Sequence, residues 1–431
     1  MAPRKKPAKK KEAETETLSA DGSVTEKVKP VGRNMTLGED GKARPMTKTE
    51  RLNALRAKTR SDGRAIIRNT SDVEMPYFTK RRFGIIDLDI EIGGGFSGGT
   101  LNVIWGQAGT TKNFMVNRLI KNVQQDYGDE AAVTFASCGY GYDKVWAIQH
   151  DVACPLAPDE LAAYEQQVGG LTDAQREACT RRVGAFDLVY PNYATEGVSE
   201  SPTESMLMGL LDTIRSGEYQ LVILDEANVP STRTDLKKAL NEEDKVASLP
   251  HLLGRFIGRM LAALAEPAPD GGPNKTTVVL ILESRDLISI TANPGTQRQS
   301  GGQAKNHIKA VDIRLKKGDP IKAKGERLIG NWIEWKIDKA KIGAHEGGTG
   351  RYPFYFADDE SVGGIDDVNV LVATATNMGV ITVAGAWHSY NGQVNVAQGK
   401  GGMQAWVREN NKFEEIYEAC LAVAKMSVTR K

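Results

Sequence analysis

The segment Leu101-Asn102-Val103-Ile104-Trp105-Gly106-Gln107-Ala108-Gly109-Thr110-Thr111-Lys112-Asn113 decides the fold. Its first five residues are apolar but for one asparagine and predict a buried strand; residues 114–123 predict a helix. Between them lies a glycine-bearing loop. A phosphate-binding loop follows the pattern Gly-x-x-x-x-Gly-Lys-Ser/Thr, in which backbone N–H groups at a helix N-terminus cradle an anion and the lysine reaches the outer phosphates. Gly106 and Lys112 stand at the required spacing, with Gly109 and Thr110 between them. Thr111 takes the place of the second glycine, where its Cβ threatens to crowd the phosphate. Asn113 takes the place of the hydroxyl that would hold Mg2+, and its side-chain oxygen still offers a metal ligand. A partner strand follows at Leu221-Val222-Ile223-Leu224-Asp225-Glu226, whose terminal Asp225 suits the positioning of Mg2+ or its water. Two readings stay open at this point: a nucleotide site, with Asn113 and Asp225 toward the metal, or a nucleotide fold whose site is dead.

Working outward, further strands are expected at residues 132–136, 186–190, 220–224 and 277–282, alternating with helices such as 203–216 and 252–265. That alternation predicts an α/β fold, a mostly parallel sheet with helices on both faces. Residues 155–182 suggest a helical insertion and 267–275 a surface loop. Leu52 and Leu55 on a charged background suggest a short amphipathic helix over residues 47–58. An acidic, glycine-containing linker at 358–367 leads to a small α+β C-terminal unit ending in a helix over 412–426.

The 431 residues suggest two or three domains, and 40% hydrophobic with 26% charged residues is an ordinary globular composition. No apolar run approaches the roughly 18–20 residues that span a membrane, so no membrane partner is expected. The basic N-terminus has no apolar segment behind it and does not resemble a secretory signal. Cys138, Cys154, Cys179 and Cys420 lie far apart, which argues against a zinc site or disulfide framework and fits a reducing, cytoplasmic setting.

The net charge of +1 at first opposes nucleic-acid binding, but its distribution is uneven. Residues 1–50 carry +4 and predict a disordered basic tail; the remainder carries −3. Within that remainder, residues 285–341 hold 13 basic and 6 acidic side chains, a local excess that suits phosphate.

Three ordered stretches then resemble the RecA family of recombinases over about residues 50–410. The most specific is Ala384-Gly385-Ala386-Trp387-His388-Ser389-Tyr390 with Gln398-Gly399-Lys400 and Ala405-Trp406. The second is Phe83-Gly84-Ile85-Ile86-Asp87-Leu88-Asp89 leading into the glycine run, and the third is the phosphate loop itself. The resemblance implies a RecA-like P-loop ATPase core that takes ATP and Mg2+. It implies that Asp143 and Trp146 hold and stack the adenine, whose π surface suits an aromatic partner. It further implies that Lys339 and Lys341 reach across a filament interface to a neighbour's ATP phosphates, where fixed cations assist phosphoryl transfer. Residues 289–309 match the family's second DNA-binding loop, with Asn293, Arg298, Gly301, Gly302 and Lys305 as candidates beside Arg285. Lys237 and Lys238 fall in the place of the first such loop. In these terms residues 1–48 are a tail, 49–75 an oligomerisation segment, 76–357 the ATPase core and 358–431 a DNA-binding domain.

Departures from the family pattern matter as much. The family's catalytic glutamate falls on Gly139, which cannot orient or deprotonate water. Its γ-phosphate-sensing amides fall on Glu283 and Ser284. Glu226, beside Asp225, is the first candidate for the missing base and Glu283 the second; with Lys112, Lys339 and Lys341 it completes the expected catalytic set. The resulting expectation is a filament-forming recombinase acting on single-stranded and homologous duplex DNA, phage-encoded given its divergence, insertion and tail. A filament or mediator protein without efficient ATP turnover is the alternative, and a hexameric helicase-type motor a third reading that leaves residues 384–406 unexplained.

Overall fold

The computed structural model describes residues 35–37, 42–61, 75–139, 141–192, 201–225, 248–286, 297–299, 308–323, 325–358 and 362–429. The chain divides at residues 73 and 74 into two units. In the first, β1 (Met35–Leu37) pairs antiparallel with β2 (Ala43–Pro45), and α1 (Lys48–Ser61) follows. A reciprocal cap starts this helix: the Glu50 carboxylate accepts from Thr47 N at 2.7 Å, and Thr47 Oγ1 accepts from Glu50 N at 3.2 Å. Leu52 and Leu55 stand exposed on it.

The second unit opens with β3 (Lys80–Arg81), α2 (Ile86–Glu91) and β4 (Phe96–Ser97), and is built on one large sheet. Its parallel strands are β5 (Leu101–Gly106), β6 (Ala132–Ser137), β7 (Ala185–Val189), β8 (Leu221–Asp225), β9 (Thr277–Asp286) and β11 (Val311–Lys322). They lie side by side in the order β11, β5, β9, β8, β6, β7. Chain order and spatial order part company after β5, because β6 is laid down three strands away and β8 and β9 later fill the gap. That reversal leaves a crevice at the carboxyl ends of the strands, where open α/β sheets bind ligands.

Strand alternation sorts the core into two faces. On one, Ile104, Phe135, Ile223, Ile281 and Ile313 pack under α3 (Lys112–Tyr127). On the other, Val103, Trp105, Leu224, Leu280 and Leu282 pack under α7 (Pro202–Ser216) and α8 (Ser248–Ala265). Both faces are covered, which is why these strands carry near-continuous apolar runs. Between β6 and β7 stand α4 (Lys144–Gln149), α5 (Pro158–Val168) and α6 (Asp173–Thr180).

The sheet also grows outward by two antiparallel strands, β12 (Leu328–Ala340) and β13 (Thr349–Tyr355). β12 alternates apolar Ile333, Trp335 and Ile337 with Glu334, Lys336 and Asp338, the period-2 pattern of a strand packed on one face. The C-terminal part combines α9 (Asp367–Asn377), the antiparallel β14 (Ile381–Ala384), β15 (Trp387–Tyr390) and β16 (Gln393–Gln398), α10 (Gly399–Glu409) and α11 (Phe413–Thr429). Leu371, Met403, Val407, Ile416 and Tyr417 form its core, and Ile86 of α2 is part of the same cluster.

Candidate functional site

Gly106 is the last residue of β5, and its ladder partners fix the site's floor: Leu315 of β11 on one side, Glu283 of β9 on the other. Two strands further, Asp225 ends β8 opposite Ser137 of β6. The carboxyl ends of these strands therefore bring a loop, a carboxylate and a second carboxylate to one edge of the sheet. They border a cleft of about 390 Å³ lined by Gly109, Thr110, Thr111, Lys112, Asn113, Asp143, Trp146, Asp225 and Glu283. A slightly larger depression, about 420 Å³, lies between α3 and the C-terminal part; its Arg82, Arg118, Lys121 and Arg408 are already paired with carboxylates, which leaves their charge committed within the chain.

Within the loop, Lys112 Nζ donates to the carbonyls of Gly106 (3.1 Å) and Gln107 (2.8 Å) and lies 4.0 Å from Glu283 Oε1. The Thr110 hydroxyl is fully buried and donates to Gln107 O at 2.8 Å, which tightens the turn. Gly109 takes φ +72°, and the space a Cβ would occupy is open, so the backbone there presents an unobstructed concave face. Thr111 is the N-cap of α3, and its side chain makes no capping hydrogen bond. The first-turn N–H groups of a 16-residue helix thus face the cleft as anion donors.

Thr111 has φ +63° and ψ 23°, in the left-handed region, where a β-branched residue is strained. Such a conformation costs about 1–3 kcal/mol. Its hydroxyl is 2.8 Å from the hydroxyl of Tyr352, a fully buried residue of β13. Burial pushes the Tyr352 phenol well above its ordinary pKa, so it stays protonated. Two residues on, Phe354 meets Phe114 of α3 edge-on, with ring centroids 5.1 Å apart. Strand β13 therefore grips the first turn of α3 at two points.

The aromatic wall continues through His150 to Trp146 (5.1 and 4.9 Å, both edge-on). Asp143 is the N-cap of α4 and accepts from Trp146 N at 2.9 Å, so it sets the start of the helix that carries the tryptophan. Burial holds the His150 imidazole below its usual pKa and keeps this wall uncharged.

The remaining candidates from the sequence lie elsewhere. Lys339 is level with Asp312 and Val103, at the amino ends of the parallel strands, and Lys341 N donates to Ala310 O at 2.8 Å. Both are thus at the opposite end of the sheet from the phosphate loop of the same chain. Burial first, then the neighbouring Lys341 and Lys309, lowers the pKa of Lys339. Strand β9 runs past Glu283 into a hairpin with β10 (Gln297–Gln299), in which Arg285 and Arg298 are ladder partners. Glu226, Lys237, Lys238, Asn293, Gly301, Gly302 and Lys305 fall outside the described residues. Gly139 donates its N–H to Ser137 Oγ at 3.2 Å and carries no side chain toward the cleft.

Over 339 residues the chain is 23% identical to Protein RecA of Prochlorococcus marinus, covering 78% of this chain and 74% of that protein. The chain is similar to RecA proteins along most of its length. Protein RecA of Thermosynechococcus vestitus is 24% identical over 364 residues, 83% of this chain and 85% of that one. A solved RadB recombinase aligns with a TM-score of 0.37 at 16% identity, over 63% of this chain and 93% of that chain. No family model matches the chain.

Sequence reasoning did not single out Tyr352, Phe354, Phe114 or His150 as neighbours of the site. The alternation Tyr352, Phe354 on a strand was a legible signal for the first two. Their meeting with α3 depends on the placement of β13.

The donor set suits a polyphosphate with a divalent ion: helix N–H groups and Lys112 for the anion, Asn113 and Asp225 as oxygen ligands. Among the described residues no group of three or more His, Cys, Asp or Glu is placed to hold a metal ion. Nor, among them, is any helix long and apolar enough to cross a membrane.

Proposed function

We propose that this chain is a RecA-family recombinase that binds Mg-ATP between protomers and assembles head to tail on single-stranded DNA for homologous pairing with duplex. The observation that supports the reading is the separation of Lys112, in the cleft at the carboxyl ends of the strands, from Lys339 and Lys341 toward their amino ends. One chain cannot bring both to one nucleotide. A neighbour translated along the same axis can, and a heterologous contact of that kind propagates as a helical filament.

In this reading Lys112 releases its own loop carbonyls and turns to the outer phosphates, while the α3 N–H groups hold the inner ones. Trp146 supplies the face on which the base stacks, and Asp143 sets the helix that carries it. Bound Mg2+ would bridge phosphate oxygens and offset charge developing in transfer. Glu283, beside Lys112 and on the strand that continues into the β9–β10 hairpin, couples the cleft to the DNA-directed loop. Arg285 and Arg298 on that hairpin, the loop at 289–309 and Lys237 and Lys238 supply backbone contacts to DNA, leaving sequence to be matched by base pairing.

A second reading, a filament or mediator protein with little turnover, is favoured by Gly139 at the place of the family's base. Electron microscopy with single-stranded DNA and a nonhydrolysable ATP analogue, followed by ATPase assays on the same preparation, tests both. Filaments with turnover that falls at least 100-fold in Lys112→Ala support the recombinase, on the scale of removing one fixed phosphate donor. Glu226→Gln and Glu283→Gln then separate the two candidate bases. Filaments whose ATPase equals that of Lys112→Ala support the second reading; closed rings, or no assembly, refute the first.

A further inference from the structure

The least expected contact in the cleft is the one between Thr111 and Tyr352. A phosphate loop needs positive φ immediately before its lysine, which is why glycine suits the place. This chain keeps the conformation, φ +63°, but builds it with a β-branched residue that disfavours it. A strained backbone persists only where its surroundings hold it. Here the hold is visible: the Thr111 hydroxyl and the Tyr352 hydroxyl lie 2.8 Å apart, and the tyrosine ring is fully buried in the core beneath α3.

We propose that Tyr352 is a positioning residue for the phosphate loop, its hydroxyl fixing Thr111 in the left-handed conformation that aims the loop's N–H groups and Lys112 into the cleft. This rests on the nucleotide-binding reading above and goes beyond it, since nothing in the phosphate-loop pattern calls for a tyrosine on an outer strand. The arrangement explains how a threonine stands where glycine is the rule. Its side chain does not lie free to crowd a phosphate; it is drawn toward β13. Phe354, on the same face of β13, packs against Phe114 and anchors the same helical turn. Strand β13 is in turn paired with β12, the strand on which Lys339 lies.

The test is a double-mutant cycle on the full chain, read by binding of a fluorescent ATP analogue with Mg2+ and by amide hydrogen exchange over residues 106–112 without nucleotide. Tyr352→Phe keeps the ring and removes the hydroxyl; Thr111→Val keeps the β-branch and removes its partner. Each should weaken analogue binding about 3- to 10-fold, the range of one hydrogen bond's net effect, and speed exchange in the loop. In a Thr111→Gly background, where positive φ needs no support, adding Tyr352→Phe should change neither reading. Binding unaffected by Tyr352→Phe, or equally weakened in the Thr111→Gly background, overturns the proposal. If the unaltered chain binds no analogue, the nucleotide reading fails, and exchange alone decides the clamp: loop amides no faster in Tyr352→Phe overturn it.

Discussion

Asp89 carries a testable consequence of burial. It lies in α2 with no solvent exposure, and its carboxylate accepts from Phe83 N (2.9 Å), Gly84 N (2.7 Å) and the Tyr417 hydroxyl of α11 (2.6 Å). Three donors and the nearby Arg118 favour the charged form, yet burial outweighs them and raises the pKa from 3.8 to about 6. The folded chain therefore binds this proton more tightly than the unfolded chain. The stability it contributes is fully present below pH 3.8 and is lost as pH rises through about 6. The full shift is worth about 3 kcal/mol, of which about 2 kcal/mol falls between roughly pH 4.5 and 7.

Asp89→Asn removes the titration and keeps the shape. Urea unfolding of both chains at pH 4.5 and 7 gives the difference directly, because neighbours such as Asp87 titrate in both and cancel. The unaltered chain should lose about 2 kcal/mol more than the variant on going to pH 7. Parallel pH profiles would refute the argument: they would mean that the three hydrogen bonds hold the carboxylate ionised against burial. A carbon-13 titration of the Asp89 carboxyl, expected near 6, reads the same quantity in the native state.

Trp146→Ala should weaken ATP binding about 10-fold, within the range of one base–aromatic stack, while leaving inorganic triphosphate binding within about twofold; calorimetry on both ligands checks this. Equal losses for the two would mean that the tryptophan shapes the phosphate loop and not a base pocket. Gly95→Ala should destabilise the fold by about 2–4 kcal/mol in thermal or urea unfolding, because residue 95 takes φ +122° and a Cβ would run into the Arg81 carbonyl.

The loop at 106–113 and the apolar run ending in Asp225 were legible because their chemistry is local: spacing, a glycine, a lysine and four consecutive core residues. So was the α/β class, from strands that are apolar on both faces. The outer strands β12 and β13 carry the alternation of one-sided packing, but their place beside β11 depends on pairing between distant segments. The fault at Thr111 was visible, but its remedy was not. Tyr352 is 241 residues away and becomes a neighbour only when β13 is laid against β12.

The motif containing Asp87 and Asp89 shows the same division. Sequence placed it at the entry to the core; folding shows Asp89 bonded to Tyr417 and Asp87 accepting from Thr374, joining that entry to the C-terminal part. Lys339 and Lys341 make the sharpest contrast. Only the family resemblance singles them out in the chain, and the antiparallel return of β12 carries them to the edge of the sheet opposite the phosphate loop. Local order along the chain determined which groups are present and what chemistry each can do. Strand order and direction, which depend on packing between distant segments, decided which of those groups face one another and which lie apart.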